Sequence, residues 1–155
     1  FNEFNTNLKV IPPLRNEKNR LQLIENIKNG VIDVISSDHT PIEIEKKKCE
    51  FNQAKFGIIG LETVFPIINT VLREKMDLEK IIDLISSNPR KILNLQNPKI
   101  EENQIANITL FDPDANWTYK KEMIKSKSKN TPFINHSFTG KVIGIINNKK
   151  LKISN

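Results

Sequence analysis

Apolar positions in the first part of the chain switch from helical to strand-like spacing. Residues 16–30 carry apolar side chains at intervals of three, as on one face of a helix, and Gly30 is a suitable residue for its C-terminal end. An apolar run rich in β-branched residues follows at 31–37, and Pro41 prevents a strand from continuing. Helix followed directly by strand is typical of α/β folds with a parallel sheet.

The pattern changes near residue 96. Before it, we predict two further helices, with a break or kink at Asn88-Pro89 in the second. After it, turn residues separate short strand-like segments without intervening helices. The predicted helices are 61–75 and 77–93, and the predicted strands are 105–111, 117–119 and 141–146. We therefore divide the chain into an α/β part, residues 1–96, and a small antiparallel part, residues 97–155.

Composition narrows the class of protein. The chain has 155 residues, does not begin with Met and lacks a signal-peptide pattern, so we expect it to be a piece of a longer protein. Its net charge of +6 comes from scattered lysines without interleaved aromatic residues, which argues against a nucleic-acid partner. No apolar stretch reaches the ~20 residues of a membrane span. Cys49 is the single cysteine, which fits a reducing cytoplasm.

The candidate chemistry lies where the apolar run ends, at Ser37-Asp38-His39. In an α/β barrel, side chains at the C-terminal end of a strand point into the mouth of the active site. A carboxylate beside an imidazole can there hold a metal or move a proton. A strand that simply ends in turn residues accounts equally well for this segment alone.

Six segments, in order, resemble one family. Together they are similar to the C-terminal part of dihydroorotases, in the cyclic-amide hydrolase group of the amidohydrolase superfamily. The segments are Lys9-Val-Ile-Pro-Pro-Leu-Arg15, Asp33-Val-Ile-Ser-Ser-Asp-His-Thr-Pro41, Phe56-Gly-Ile-Ile-Gly-Leu-Glu-Thr63, Asn88-Pro-Arg-Lys-Ile-Leu-Asn-Leu95, Ala106-Asn-Ile-Thr-Leu-Phe-Asp-Pro113, and Ser126-Lys-Ser-Lys-Asn-Thr-Pro-Phe133 followed by Gly140-Lys-Val.

The resemblance implies an α/β fold: the C-terminal part of a (β/α)8 TIM-type barrel of a metal-dependent hydrolase, plus strands of a small β-sandwich. Residues 1–96 would supply strands 7 and 8 of the barrel and the helices after them. Residues 97–155 would supply the C-terminal segment of the sandwich.

The resemblance also implies an activity, the reversible hydrolysis of dihydroorotate to N-carbamoyl-aspartate in pyrimidine synthesis. Asp38 matches the carboxylate that lies in the metal site and acts as general base, and Phe56 and Gly57 match main-chain positions that meet the substrate. Two zinc ions are expected. Their other ligands, a His-x-His pair, a carboxylated lysine and two later histidines, would lie upstream of this chain, so the chain alone is expected to be inactive.

Two positions depart from the family pattern. Ile42 stands where a histidine usually helps to hold the substrate, and Ile11 stands where a substrate-contacting asparagine is usual. Each lost polar contact would weaken binding by about 1–3 kcal/mol if nothing replaces it.

These departures keep two alternatives open. One is a catalytically silent homologue that serves as a structural partner, for instance of aspartate carbamoyltransferase. The other is a related allantoinase or hydantoinase. The family further implies a homodimer.

The remaining candidate residues have structural interpretations. His39, next to Asp38, either tunes that carboxylate from behind or packs as a hydrogen-bonded structural residue, and we favour the second role. We expect His136, in a polar loop, to be functionally silent, and Cys49 lies in a charged loop without a nearby candidate base. We expect Glu62, at the start of an apolar helix, to act as a cap or with the helix dipole.

Overall fold

The first helix forms where apolar spacing and a capping residue agree. In the computed structural model, residues 4–147 and 149–154 are described. Helix α1, Glu17–Lys28, confirms the prediction: the Asn16 side chain accepts a hydrogen bond from the Asn19 N–H, and Gly30 follows the helix with φ of 69°. The other α-helices are α2, Val64–Leu72, α3, Leu78–Ile82, and α4, Asn88–Ile92.

The predicted interruption at Asn88-Pro89 is present as a change of helix type. A π-helical turn, Asp83–Ser87, joins α3 to α4, and Pro89 lies in the first turn of α4. Proline cannot donate the usual helical hydrogen bond, so a widened turn before it relieves the mismatch.

The predicted strand at residues 31–37 is wrong. The segment is extended, but the Ile35 N–H donates to the Leu84 carbonyl and the Asn88 amide donates to the Asp33 carbonyl. A strand requires another strand's backbone as its neighbour, and the neighbours here are helical. The first bridge along this stretch is an isolated parallel one between His39 and Ile58.

The C-terminal part contains a three-stranded sheet in the order β1-β2-β3. Its strands are β1, Ile108–Thr118, β2, Ser137–Asn147, and β3, Lys150–Ile153. Strands β2 and β3 are antiparallel, with Gly144 opposite Ile153. The strands predicted at 105–111 and 117–119 are one strand that passes through Pro113, which is tolerated because β1 lies at an edge.

The described residues fall into two compact units. The first comprises residues 4–29, 36–64 and 118–137, and the second residues 30–35, 65–117, 138–147 and 149–154. The buried apolar side chains of the first unit are Ile24, Ala54, Ile59, Tyr119 and Ile124. Those of the second are Phe65, Ile68, Leu72, Ile81, Leu84 and Phe138.

Candidate active site

Asp38 lies in a loop that we call the carboxylate loop, residues 37–42. Its side chain is exposed and its backbone is left-handed, with φ of 44°. Few residue types other than glycine, asparagine and aspartate adopt this conformation readily. The Thr40 hydroxyl donates to the Asp38 carbonyl over 3.1 Å and so closes the turn.

A second loop, the glycine loop of residues 56–60, lies directly against the carboxylate loop. The Thr40 N–H donates to the Ile58 carbonyl over 2.7 Å. A Cβ atom on Gly57, whose φ is 127°, would lie 2.5 Å from Thr40 Cγ2, and one on Gly60 would collide with the Ser37 carbonyl oxygen. The two glycines are therefore required by the close contact between the loops.

His39 holds the turn that follows the glycine loop. Its Nδ1 accepts hydrogen bonds from the N–H groups of Gly60, over 3.1 Å, and Leu61, over 3.3 Å. Because Nδ1 is the acceptor in both bonds, Nε2 is the ring nitrogen that remains available as a donor.

Phe56 is 45% exposed, and Lys9 lies over its ring. The Lys9 ammonium is 4.8 Å from the ring centroid and donates to the carbonyls of Phe51 and Asn52. The Gly57 N–H donates to the Lys9 carbonyl over 2.9 Å, so this N–H is already used within the chain. Lys9 therefore fixes both the aromatic side chain and the main chain of the glycine loop.

Asn130 joins the two loops. Its side chain amide donates to the Thr40 carbonyl over 3.0 Å and to the Gly57 carbonyl over 3.2 Å. Its Oδ1 accepts from the Ile42 N–H over 3.1 Å, and the residue is 5% exposed. One buried side chain thus connects the carboxylate loop to the glycine loop.

Glu62 makes contacts that the sequence did not predict. It lies in the turn before α2, and its carboxylate accepts from the Tyr119 hydroxyl, the Ser126 hydroxyl and the N–H groups of Lys125 and Ser126. Among the described residues, the hydrogen bonds of the carboxylate go to residues 119–126 and not to the N–H groups of α2. The carboxylate thereby fastens the loop that leads to Asn130.

These contacts shift two pKa values. Burial raises the pKa of the Glu62 carboxyl, but the hydrogen bonds from Ser126, Tyr119 and Lys125 together lower that pKa below its ordinary 4.5. Burial, and then the hydrogen bond to Glu62, raises the pKa of Tyr119 above its ordinary 10.0. The pair is therefore a carboxylate that accepts from a neutral phenol.

A metal centre does not fit the described residues by themselves. Between residues 4 and 147 and between 149 and 154, no three His, Cys, Asp or Glu side chains come together as a ligand set. Asp38 can supply one carboxylate, and the Nδ1 of His39 is occupied by main-chain N–H groups. A metal held at Asp38 would need ligands from residues other than the described ones.

Of the other candidate positions, Ile42 takes part in these contacts through its main chain, and the rest have separate surroundings. Ile11 is 62% exposed, and Ile42 contributes its N–H to Asn130. The Cys49 thiol contacts the Lys46 carbonyl. His136 packs edge-on against Phe133.

Two residues that organise the loops were not predicted, Lys9 and Asn130. Both belong to segments that resemble the family, one near each end of the chain. Membership of these segments was the sequence signal for both residues, since neither a lysine nor an asparagine indicates a site by itself.

No helix within the described residues is both long and apolar enough to cross a membrane.

Comparisons with known proteins place the chain in a family. The chain is 45% identical, over 96% of its length, to a dihydroorotase of Caldicellulosiruptor saccharolyticus, and spans 35% of that protein. This confirms the predicted resemblance.

Solved structures agree in fold. A dihydropyrimidinase from Brevibacillus agri NCHU1002 matches 97% of the chain with a TM-score of 0.84 and 25% identity, and the chain spans 34% of it. The inactive dihydroorotase-like domain of a Chaetomium thermophilum CAD-like multifunctional protein matches 89% with a TM-score of 0.64 and 16% identity, and the chain spans 36% of it. The Amidohydrolase family model matches residues 6–149, and the chain therefore belongs to the amidohydrolase family.

Proposed function

We propose that this chain is the C-terminal third of a cytoplasmic dihydroorotase, which interconverts dihydroorotate and N-carbamoyl-aspartate in pyrimidine biosynthesis. The observation that carries the proposal is the exposed, left-handed Asp38 held against the glycine loop, in a chain 45% identical to a dihydroorotase. Residues 1–96 would end the catalytic barrel, and residues 97–155 would belong to the β-sandwich.

In this proposal Asp38 moves the proton. Its carboxylate accepts a proton from the water whose oxygen attacks the ring carbonyl. It then donates that proton to the ring nitrogen as the C–N bond breaks, and the carboxylate is restored. Such general acid–base catalysis contributes about 10²- to 10⁴-fold to the rate.

The glycine loop would bind the substrate. Phe56 offers a half-exposed ring fixed by Lys9, and its main chain lies beside Gly57. Because the Gly57 N–H is used by the Lys9 carbonyl and the Gly57 carbonyl accepts from the Asn130 amide, we assign the substrate contact to Phe56. His39 would support the site indirectly, because it holds the turn at Gly60 and Leu61 next to the loop of Asp38.

The proposal for the full-length protein includes a metal. We infer a zinc-dependent enzyme with two ions, to which Asp38 adds one carboxylate and residues outside this chain add the rest. The 155-residue chain would then be inactive alone. A homodimer, and an association with aspartate carbamoyltransferase, are proposed partners.

A substrate panel tests this function. The full-length, zinc-loaded protein is assayed with dihydroorotate, allantoin and a 5-substituted hydantoin, and also for ring closure of N-carbamoyl-aspartate. We expect dihydroorotate to give the highest kcat/KM by at least about tenfold, since one well-placed polar contact is worth that much. A preference for either other ring would replace dihydroorotase with an allantoinase or hydantoinase.

The second candidate function is a silent structural partner. Ile11 and Ile42 favour it, because neither side chain can supply the polar substrate contact that is usual at its position. A folded, zinc-loaded protein that turns over none of the three rings would support this candidate against the enzyme.

A further inference from the structure

The Asn130 side chain is matched to two carbonyls and one N–H from two different loops. An amide group has two N–H donors and an accepting oxygen. One donor is used on the Thr40 carbonyl of the carboxylate loop and one on the Gly57 carbonyl of the glycine loop, while the oxygen accepts from Ile42. Neither a carboxylate nor a hydroxyl of similar size can make all three bonds.

These bonds lie close to the proposed chemistry. Thr40 and Ile42 follow Asp38 by two and four residues, and Gly57 directly follows Phe56. The amide therefore fixes the spacing between the loop that carries the general base and the loop that meets the ring. A small change in such spacing has a large effect on a reaction that depends on alignment.

The Asn130 backbone is held independently of its side chain. The Ile59 N–H donates to the Asn130 carbonyl over 3.0 Å. The preceding Lys129 ammonium donates to the carbonyls of Ile124 and Ser126, and Ser126 is bound to Glu62. The side chain is thus presented from an anchored loop, as a positioning group requires.

We propose that Asn130 is a positioning residue, whose amide sets the distance between the Asp38 carboxylate and the Phe56-Gly57 main chain. It does not touch the reacting atoms. This inference rests on the proposed function, because it concerns how a cyclic amide is held against its base.

Kinetics of full-length Asn130→Ala and Asn130→Asp separate positioning from mere stabilisation. Both are expected to raise KM and lower kcat, each by about tenfold or more. Asn130→Asp keeps the side-chain shape but directs an acceptor at carbonyls, so it should not restore activity. A loss of folded protein alone would lower the apparent kcat and leave KM unchanged.

Asn69 offers the matched control. It is a fully buried asparagine of α2 whose amide also donates to two carbonyls, those of Pro113 and Thr139. Asn69→Ala should lower the unfolding temperature as Asn130→Ala does, while KM stays at the wild-type value. If Asn130→Ala shows the same kinetics as Asn69→Ala, the positioning role is overturned.

Hydrogen exchange at single-amide resolution keeps this test separate from the proposed function. In Asn130→Ala, exchange at Ile42 should accelerate, while exchange at Ile59, bound to the retained main-chain carbonyl, should not. If the wild-type protein turns over no cyclic amide, the proposed function fails. The hydrogen-bonded connection between the two loops is then judged by exchange. Faster exchange confined to the Ile42 N–H supports loop positioning by Asn130, and unchanged exchange there overturns it.

Discussion

Gly57 shows how one missing side chain determines the contact between the two loops. Its φ of 127° is unfavourable for any residue with a Cβ, and the space that a Cβ would occupy is filled by Thr40. The resemblance implied that the main chain at Gly57 meets the substrate. The group that approaches within this chain is the threonine of the neighbouring loop.

Gly57→Ala is expected to destabilise the full-length protein by about 1–3 kcal/mol, since both backbone strain and overpacking oppose it. Denaturant unfolding measures the loss. Adding Thr40→Ser removes the nearest atom, Cγ2, and retains the hydroxyl that binds the Asp38 carbonyl. The double variant should recover part of the stability, and an equal or greater loss in it would contradict the steric account.

Asp38 could be predicted from the sequence, whereas the role of Asn130 could not. The carboxylate could be singled out because it directly follows an apolar run and precedes a proline. Its left-handed backbone could not, since aspartate adopts several conformations in turns. The contacts of Asn130 join residues 73 to 90 positions apart, and no local pattern encodes such pairing.

Among the elements, the helices followed local sequence signals more closely than the strands. Helix α1 has its cap, apolar face and terminal glycine within a single stretch of sequence. The apolar segment 31–37 has strand composition, yet Ile35 and Asp33 hydrogen-bond to the helical residues Leu84 and Asn88. Strand formation depends on a partner elsewhere in the chain, so composition alone misassigned it.

The link between the turn before α2 and the loop at 124–126 is electrostatic. Glu62 accepts four hydrogen bonds from Tyr119, Lys125 and Ser126. Because these bonds favour the ionised carboxyl, its pKa is lower in the folded chain than in the unfolded one. The stabilisation is therefore present above pH 4.5 and is lost as pH falls through the folded pKa.

Glu62→Gln should lower stability at pH 7 by about 1 kcal/mol, a value discounted for the partial exposure of the group. The difference from the wild-type protein should shrink as pH falls below 4.5, because the wild-type carboxyl then becomes protonated as well. Urea unfolding at pH 7 and at about pH 4 measures it. The exposed Glu122, replaced by glutamine, is the control, and a Glu62→Gln deficit that persists unchanged at low pH would contradict the electrostatic link.

At the scale of the molecule, the order of six short segments was more informative than any element. It indicated the dihydroorotase resemblance, which the comparisons confirm, although one strand was misassigned and two neighbouring strands proved to be one. The chain covers about a third of such relatives. The assignment of residues 1–96 and 97–155 to barrel and sandwich therefore stays a prediction.

We propose Asp38 as the general base of a dihydroorotase. The most direct measurement is kcat for dihydroorotate hydrolysis by the full-length, zinc-loaded protein, beside Asp38→Asn and the control Asp33→Asn. Asparagine tolerates the left-handed backbone, so the first variant should keep the fold, and Asp33 is an exposed acid of the preceding segment.

We predict that Asp38→Asn lowers kcat by at least about 10²-fold with little change in unfolding temperature, while Asp33→Asn retains wild-type turnover. Turnover by Asp38→Asn close to that of the wild-type protein would contradict the assigned base. A folded wild-type protein without turnover would contradict the enzyme itself.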